Sequence, residues 1–505
     1  MKRQSALLVV DSGLTTVQRS VHEEGTRQVQ RIASYPKVTV TEGGRGVCCH
    51  VGSRLLADVA SAAGVGEAFD GAVGGVRKRR SAHAPGRVLA DLAVMLADGG
   101  VAIGDLAVLR DQPNLFGSVA STATAWRVLD SVDESLLDRV KIARAAARER
   151  AWLLRGEAGR QLRTLRCAGT VVPGLVIDVD ATLVTCHSEK EKAAPTFKHG
   201  YGYHPLLAWL DNSGEALAGM LRPGNANANT AADHITVTDE ALAQIPDAHR
   251  HGSPILIRAD GAGATKAWLA HLRSLREQRG LDVEFSVGFT LTNQLRDTIG
   301  VVPETAWTVA LDAAGEPRPV DESGLPVAQV AELTGLLPGL TAAGWPARMR
   351  VLVRRERPHP GAPISVFEAH DGWRYQCLAT DTPTGQLAFL EARHRAHARV
   401  EDRIRNVKQA GLGRFPSREF AINAVWLQLA LTAADLLAWT QTILLDGALA
   451  KAEPKLLRYR LLHTAARIVR RGRRIFIKIA AGWPWADQLA AAFSRLASIR
   501  QPLLA

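Results

Sequence analysis

The sequence predicts an α/β protein in which a sheet-forming core lies between mainly helical N-terminal and C-terminal regions. Three observations predict this class. Residues 51–164 repeat apolar side chains at helical spacing. Residues 171–289 alternate runs rich in β-branched residues with helical stretches, and residues 386–445 return to helical spacing. Because the chain has 505 residues, we expect several domains and not one core.

Residues 1–166 are predicted to form a mainly helical N-terminal DNA-binding domain, although residues 1–45 look irregular. Apolar residues from Val51 predict a helix that Gly64 ends, and a short helix follows from Gly66. This pair is either a DNA-reading unit or an ordinary helical hairpin, and such hairpins are commoner. Further helices are predicted over 87–98, 122–130 and 134–164.

The predicted core begins near residue 167 and its first part continues to residue 291. A buried strand is expected within 171–186, and residues 204–211 and 215–222 read as a hairpin around Asn212-Ser213-Gly214. Its remaining elements are a helix from Thr230 to Ile245, a strand over 254–260, a helix over 264–279 and a strand over 282–289. Three strands, helix, strand, helix and strand is the element order of a ribonuclease-H-like core, in which the first and fourth strands are neighbours.

The second half of the chain continues this pattern with three more segments. Residues 292–385 are rich in Pro and Gly and predict a β-rich insertion with strands near 349–354 and 373–380. Residues 386–450 are expected to supply the last helices of the core. Residues 451–505 are predicted to form a basic helical C-terminal region.

Three separated acidic residues are the candidate catalytic and metal-binding groups. Asp180 and Asp260 each end an apolar strand-like run, and Glu401 lies in a charged helical stretch. In the predicted fold, two neighbouring strand ends and one helix face can converge. Three carboxylates there can hold two divalent cations, Mg²⁺ or alternatively Mn²⁺, and such paired ions promote attack on a phosphodiester.

The residues around these acids resemble the DDE transposases of the bacterial insertion-sequence 4 group. Asp180-Ala181-Thr182 resembles the D-x-T of their first catalytic strand, and residues 258–263 resemble the R-x-D box of their fourth strand. Glu401 and Lys408, with six residues between them, match the E-(6)-K part of the group's pattern. Further segments are most similar to insertion-sequence family 1380: Ile177-Asp178-Val179-Asp180-Ala181-Thr182-Leu183-Val184, His187-Ser188-Glu189-Lys190-Glu191, Ala194-Pro195-Thr196-Phe197-Lys198 and Phe415-Pro416-Ser417. The likeness runs from about Thr41 to the C-terminal region.

The resemblance implies a chain that cuts the ends of its own element and joins the 3′-hydroxyl ends to target DNA, as a homodimer on paired ends. Lys408 is expected to hold a DNA phosphate near the metal ions or, alternatively, to be a solvent-exposed lysine, and Arg405 is a further DNA-binding candidate. Where the group has Tyr and Arg before the glutamate, this chain has His394 and His397, which either contact phosphate or lie on a helix surface. Asp178, two residues before Asp180, is a substitute or supporting carboxylate.

Charge and cysteine usage agree with a DNA-handling protein. The net charge is +12 and arginine carries most of the positive charge, which fits either double-stranded DNA or an ordinary solvated basic surface. The run Arg77, Lys78, Arg79 and Arg80 is expected to contact phosphates or to be a solvated loop. Five scattered cysteines suit a reducing compartment, so we expect a cytoplasmic, nucleoid-associated bacterial protein. The apolar stretch Phe420 to Leu445 is interrupted by polar residues and predicts a buried helix, with no membrane association.

Two other functions remain open at this point. A metal-dependent DNA nuclease would use the same acids without strand transfer. An inactive relative would bind DNA only.

Overall fold

The computed structural model describes residues 19–24, 27–32, 45–76, 83–186, 189–322, 324–359, 361, 363–472 and 474–500. The chain divides into two units, Met1–Val47 and Cys48–Ala505. In the first unit, strands β1 (Arg19–Glu24) and β2 (Arg27–Ile32) form an antiparallel pair, where the sequence looked irregular. Strand β3 (Val47–Cys48) spans the division between the units.

The N-terminal part of the second unit is helical. Gly64 adopts a φ of 68°, a left-handed conformation, and separates the first helix from the second. Ser121 and Asp133 cap the helices that follow them by accepting a backbone N–H bond. The helices are α1 (Ser53–Ala62), α2 (Val65–Val73), α3 (Pro85–Asp98), α4 (Ala107–Arg110), α5 (Pro113–Phe116), α6 (Thr122–Asp130) and α7 (Glu134–Glu157).

The central part is a mixed α/β fold built on one large sheet. Its elements are β4 (Leu165–Cys167), β5 (Thr170–Val172), β6 (Leu175–Ala181), β7 (Val184–Thr185), β8 (Ala194–Pro195), β9 (Tyr201–Tyr203), β10 (Leu206–Leu210), β11 (Glu215–Met220), α8 (Ala231–Ala243), α9 (Asp247–Gly252), β12 (Ile255–Ala259), α10 (Lys266–Arg279), β13 (Val283–Phe289), α11 (Asn293–Gly300), β14 (Thr308–Val309), β15 (Ala328–Glu332), β16 (Arg350–Glu356), α12 (Val366–Asp371) and β17 (Arg374–Thr380).

The sheet has nine strands in the order β11-β10-β6-β12-β13-β17-β16-β15-β14. Strands β6, β12 and β13 run parallel to one another, and the other neighbours are antiparallel. The parallel strands are apolar runs because both faces of the sheet are covered there. The first predicted core strand, β6, and the fourth, β12, lie side by side, as predicted.

The residues from 292 to 385 extend this sheet. Four of its nine strands, β14 to β17, come from this segment, and β17 pairs with β13. The predicted β-rich segment therefore adds four strands to the core sheet, beginning next to β13.

The C-terminal part differs from the prediction in one segment. The expected helices form, but residues 466–479 are a β-hairpin where the sequence predicted helix. Arg471 pairs with Arg474 across two residues, and Gly472 in that turn has a φ of 57°. The elements are α13 (Leu387–Arg395), α14 (Arg399–Val407), α15 (Phe420–Trp439), α16 (Pro454–Leu457), β18 (Ala466–Arg471), β19 (Arg474–Ile479) and α17 (Ala486–Arg500).

The N-terminal and C-terminal helices share one hydrophobic core. Leu89 of α3 and Leu431 of α15 belong to the same buried cluster. Buried ion pairs reinforce this packing, since Arg148 of α7 pairs with Glu215 of β11 at 3.0 Å and with Asp435 of α15 at 2.5 Å. The predicted domain boundaries at residues 166, 291, 385 and 450 stay predictions.

One helical segment of the described residues, Phe420–Leu444, is long and apolar enough to cross a membrane, with a mean hydropathy of 1.5. Most of it (78%) is buried inside the protein. A second candidate is the bent pair Pro85–Asp98 and Ile103–Arg110, whose helices meet at 99°. Burial of Phe420–Leu444 identifies it as a core helix, because its apolar surface is already covered.

Candidate active site

The two predicted aspartates lie next to each other at one end of the sheet. Val179 of β6 pairs in parallel register with Ala259 of β12, so the residues that follow them, Asp180 and Asp260, are neighbours at the carboxyl ends of adjacent strands. The Oδ1 of Asp260 accepts a bond of 3.0 Å from the backbone N–H of Ala262 and caps the short turn Gly261–Gly263. A Cβ at Gly288 of β13 would come within 2.6 Å of the Gly261 nitrogen, so glycine lets this turn pack against the sheet.

The third predicted acid approaches the same strand ends from a helix. Glu401 lies in the first turn of α14, which packs against β6, and its side chain is exposed. Burial, together with the negative charges of Asp260 and Glu401, raises the pKa of Asp180 to about 6, although His397 acts in the opposite direction. The negative charges of Asp260 and Glu401 therefore act on Asp180, and His397 and the bond from the Ala181 N–H offset them in part.

The carboxylate oxygens of the three acids do not all lie within 4.8 Å of one another. Within the described residues, His50, Asp98 and His463 form the one group of three metal-ligating side chains whose ligand atoms all lie within 4.8 Å of one another. In that group both histidines and Ser53 bond to the Asp98 carboxylate, and these bonds hold its pKa well below the usual range in spite of burial. The bonds join the end of α3 to the C-terminal segment.

A buried ion cluster lies on the same two strands, two residues before each aspartate. Arg258, fully buried on β12, binds both oxygens of Asp178 at 2.7 and 2.8 Å and reaches Asp211 at 3.0 Å. Nδ1 of His397 lies 2.9 Å from Oδ1 of Asp178. Although burial opposes ionisation, Arg258 and His397 hold the pKa of Asp178 below its usual value. Both oxygens of Asp178 are thus engaged by protein side chains, which favours the predicted supporting role over metal binding.

The two histidines that were predicted to contact phosphate or to lie on a helix surface, His394 and His397, both have protein partners. His397 is 9% exposed and bonds to Asp178. Nδ1 of His394 lies 3.1 Å from the Ser286 hydroxyl, and burial lowers the pKa of His394 to about 3. His394 is partly exposed and His397 is buried, and the predicted DNA contacts of both stay predictions.

Lys408 interacts electrostatically with Asp180. Its ammonium group donates a 3.0 Å bond to the carbonyl of Leu183, and its pKa is lowered by burial and by Lys198, while Asp180 acts in the opposite direction. Arg405 is exposed and pairs with Asp402 at 3.0 Å and Glu453 at 2.8 Å. Its DNA-binding role stays a prediction. The basic run Arg77, Lys78, Arg79 and Arg80 lies outside the described residues.

Two further histidines beside Asp260 were not found from the sequence. His204 and His234 both interact electrostatically with Asp260, and burial lowers the pKa of each. Nδ1 of His204 lies 3.2 Å from the carbonyl of Ala226, in the asparagine-rich loop before α8. No local sequence pattern marks either residue, because both face Asp260 only after the sheet has formed.

The raised pKa of Asp180 predicts how the stability of the fold changes with pH. A pKa that folding raises from the ordinary 3.8 to about 6 favours the fold below pH 3.8, and this contribution is lost as the pH rises through 6. We expect Asp180→Asn to raise the stability of metal-free protein at pH 8 by about 1–3 kcal/mol and to change little at pH 4.

Thermal unfolding followed at both pH values, with and without Mg²⁺, checks this prediction. Wild-type protein should gain stability from Mg²⁺ at pH 8, and the variant should not. A variant that is less stable than wild type at pH 8 without metal would show that the fold does not disfavour the charged Asp180 carboxylate.

The ends of two adjacent strands, β6 and β12, and the first turn of α14 thus each carry one carboxylate on a mixed α/β fold. The sequence family described as Transposase DDE domain group 1 matches residues 30–501. The chain belongs to this family, whose members are DDE transposases and use divalent metal ions.

One similar solved structure is the cryo-EM structure of a piggyBac transposase synaptic complex with hairpin DNA. It is 10% identical, with a TM-score of 0.38, over 84% of this chain and 83% of that chain. A likeness of this size carries no argument about the site. No curated protein sequence matches the chain.

Proposed function

We propose that this chain is the transposase of a bacterial insertion sequence of the insertion-sequence 4 group, most like family 1380. It cuts the ends of its element and joins the 3′-hydroxyl ends to target DNA on a ribonuclease-H-like core. The observation that carries the proposal is the parallel register of β6 and β12, which makes Asp180 and Asp260 neighbours beside the helix of Glu401.

The residues fit two divalent cations, Mg²⁺ or Mn²⁺. All three side chains supply hard oxygen ligands, which Mg²⁺ prefers, and the pKa of Asp180, raised to about 6 by burial and by its acidic neighbours, marks negative charge that a cation would neutralise. Asp180, Asp260 and Glu401 would hold the ions. When bound, they would lower the pKa of an attacking water or hydroxyl and stabilise the leaving 3′-oxygen.

The neighbouring residues position these acids. Arg258 and His397 fix Asp178 in the strand that carries Asp180, so the backbone of β6 presents the Asp180 carboxylate at a constant place. Lys408, held by the carbonyl of Leu183, lies where it could pair with a DNA phosphate that enters beside Asp180. A cation there would offset the approach of a polyanion to an acidic site.

The ligands we propose are the element's terminal inverted repeats and target DNA, both double-stranded, bound by a homodimer on paired ends. The net charge of +12 supports this, because a basic protein gains binding energy from counterion release on DNA. We place the protein in the bacterial cytoplasm, associated with the nucleoid and not with a membrane. Short imperfect inverted repeats flanking its gene would support the assignment.

A strand-transfer assay separates this function from a nuclease. With purified protein, Mg²⁺ and end DNA that carries a free 3′-hydroxyl, we expect products in which the end is joined to a second DNA molecule. Cut ends without any joined product would instead identify a metal-dependent nuclease. No cutting of end DNA with either Mg²⁺ or Mn²⁺ would identify an inactive DNA-binding relative.

A further inference from the structure

The β18–β19 hairpin presents four cations on one surface. In a hairpin, alternate residues and their cross-strand partners share a face. The pairs Arg467–Lys478, Val469–Phe476 and Arg471–Arg474 therefore lie on the same face. We call these six residues the basic hairpin face.

The opposite face of the hairpin is already used for packing. Ile468, Ile477 and Ile479 are partly buried against the main hydrophobic core, and Arg470 bonds to Asn114 of α5 at 2.7 Å. The hairpin is thus anchored on one side, and the basic hairpin face points away from the core. Phe476, in the middle of that face, remains 42% exposed.

The charge arrangement of this face costs stability unless an anion is present. Arg467 lies directly opposite Lys478, and Arg471 directly opposite Arg474, and like charges in such pairs destabilise a hairpin. The four side chains are exposed and make no ion pair with another described residue. Two uncompensated like-charge pairs on an anchored ribbon favour a polyanionic partner.

The spacing of the two pairs fits a DNA duplex. They are four residues apart along each strand, which is about 13 Å at roughly 3.3 Å per residue. The major groove of B-form DNA is about 12 Å wide and admits a two-stranded ribbon. RNA duplexes have a narrow major groove that side chains do not reach.

We propose that the basic hairpin face docks in the major groove of double-stranded DNA. The Arg467–Lys478 pair and the Arg471–Arg474 pair contact phosphates on opposite edges of the groove, and Phe476 faces the base edges between them. This surface is separate from the acidic site, and its assignment to DNA rests on the proposed function.

The test removes the four charges together. The variant carries Arg467→Gln, Arg471→Gln, Arg474→Gln and Lys478→Gln. A control removes four exposed charges from the helices α6, α7 and α16: Arg127→Gln, Arg139→Gln, Arg150→Gln and Lys455→Gln. Affinity is measured by fluorescence anisotropy on a short labelled B-form duplex between about 50 and 200 mM salt, with an RNA duplex and anionic phosphatidylserine vesicles as competing probes.

We expect the slope of log affinity against log salt to fall by about three to four for the hairpin variant, near 0.9 per lost phosphate contact. The control should change it by less than about one. The hairpin variant should melt no lower than wild type, because like-charge repulsion is removed. An unchanged slope, or a loss equal to that of the control, would overturn the proposal, as would wild-type binding that prefers RNA or vesicles to DNA.

Cleavage at saturating DNA separates this proposal from the proposed function. The hairpin variant should cut end DNA at the wild-type rate once the DNA is saturating, because the acids are untouched. If wild-type protein never cuts DNA, the proposed function fails while the salt slopes still decide the role of the hairpin.

Discussion

Asp260→Asn is expected to lower the rate of DNA cutting by about a thousandfold or more while end binding stays within a few fold of wild type. The exchange removes one negative charge from the three-carboxylate site, and losing several kcal/mol of transition-state stabilisation corresponds to about that factor. Asparagine keeps an oxygen that can accept the Ala262 N–H bond now made by Oδ1. The turn Gly261–Gly263 should therefore stay folded, which Asp260→Ala would not ensure.

Single-turnover cleavage and equilibrium binding of the same end DNA measure the two effects separately. Asp133→Asn is the matched control, because Asp133 also caps a helix, accepting the Leu136 N–H bond at 2.8 Å, but lies on α7 outside the acidic site. It should cut at the wild-type rate. An Asp260→Asn protein that loses binding and cutting together would point to a folding role for Asp260.

The largest stability effect is expected at Asp178 and not at the catalytic acids. Asp178→Ala removes both oxygens that Arg258 binds at 2.7 and 2.8 Å, and leaves a fully buried guanidinium with Asp211 as its remaining carboxylate partner. Breaking one side of a buried pair costs about 3–5 kcal/mol. Urea unfolding should show this loss, and the double variant Asp178→Leu with Arg258→Met should recover part of it.

An exposed pair on α14 is the control for this measurement. Asp402 and Arg405 are 3.0 Å apart and both largely exposed, so Asp402→Ala should cost less than about 1 kcal/mol. If Asp178→Ala protein is as stable as wild type but does not cut DNA, Asp178 is a metal ligand and the present assignment to Asp180 is wrong.

The strands that carry the acids could be predicted because their signal is local. The apolar runs before Asp180 and Asp260 are fully buried strands, and runs of this kind mark parallel strands in sequence. The adjacency of β6 and β12 followed from the element order and is confirmed by their register. The same reasoning placed Glu401 on a helix, but only the fold brings its charge to Asp180.

The sequence alone could not distinguish the role of Asp178 from that of Asp180. The contact that distinguishes them, between Asp178 and His397, joins residues 219 positions apart. Two carboxylates two residues apart on one strand look alike in a sequence. Their environments differ in the fold, since Arg258 binds Asp178 and like charges face Asp180.

The hairpin at residues 466–479 lies in the segment that was predicted to be a basic helical region. Two observations could have indicated strands. Isoleucine, valine and phenylalanine dominate its apolar positions, as is typical of strands, and Gly472 supplies the positive φ that a two-residue hairpin turn needs.

The most direct test of the account is to locate Mn²⁺ by anomalous X-ray scattering in crystals of the protein bound to end DNA. The account predicts two peaks, about 3.5–4 Å apart, liganded by oxygens of Asp180, Asp260 and Glu401. Peaks bound elsewhere, for example by His50, Asp98 and His463, with none at the three acids, would contradict it.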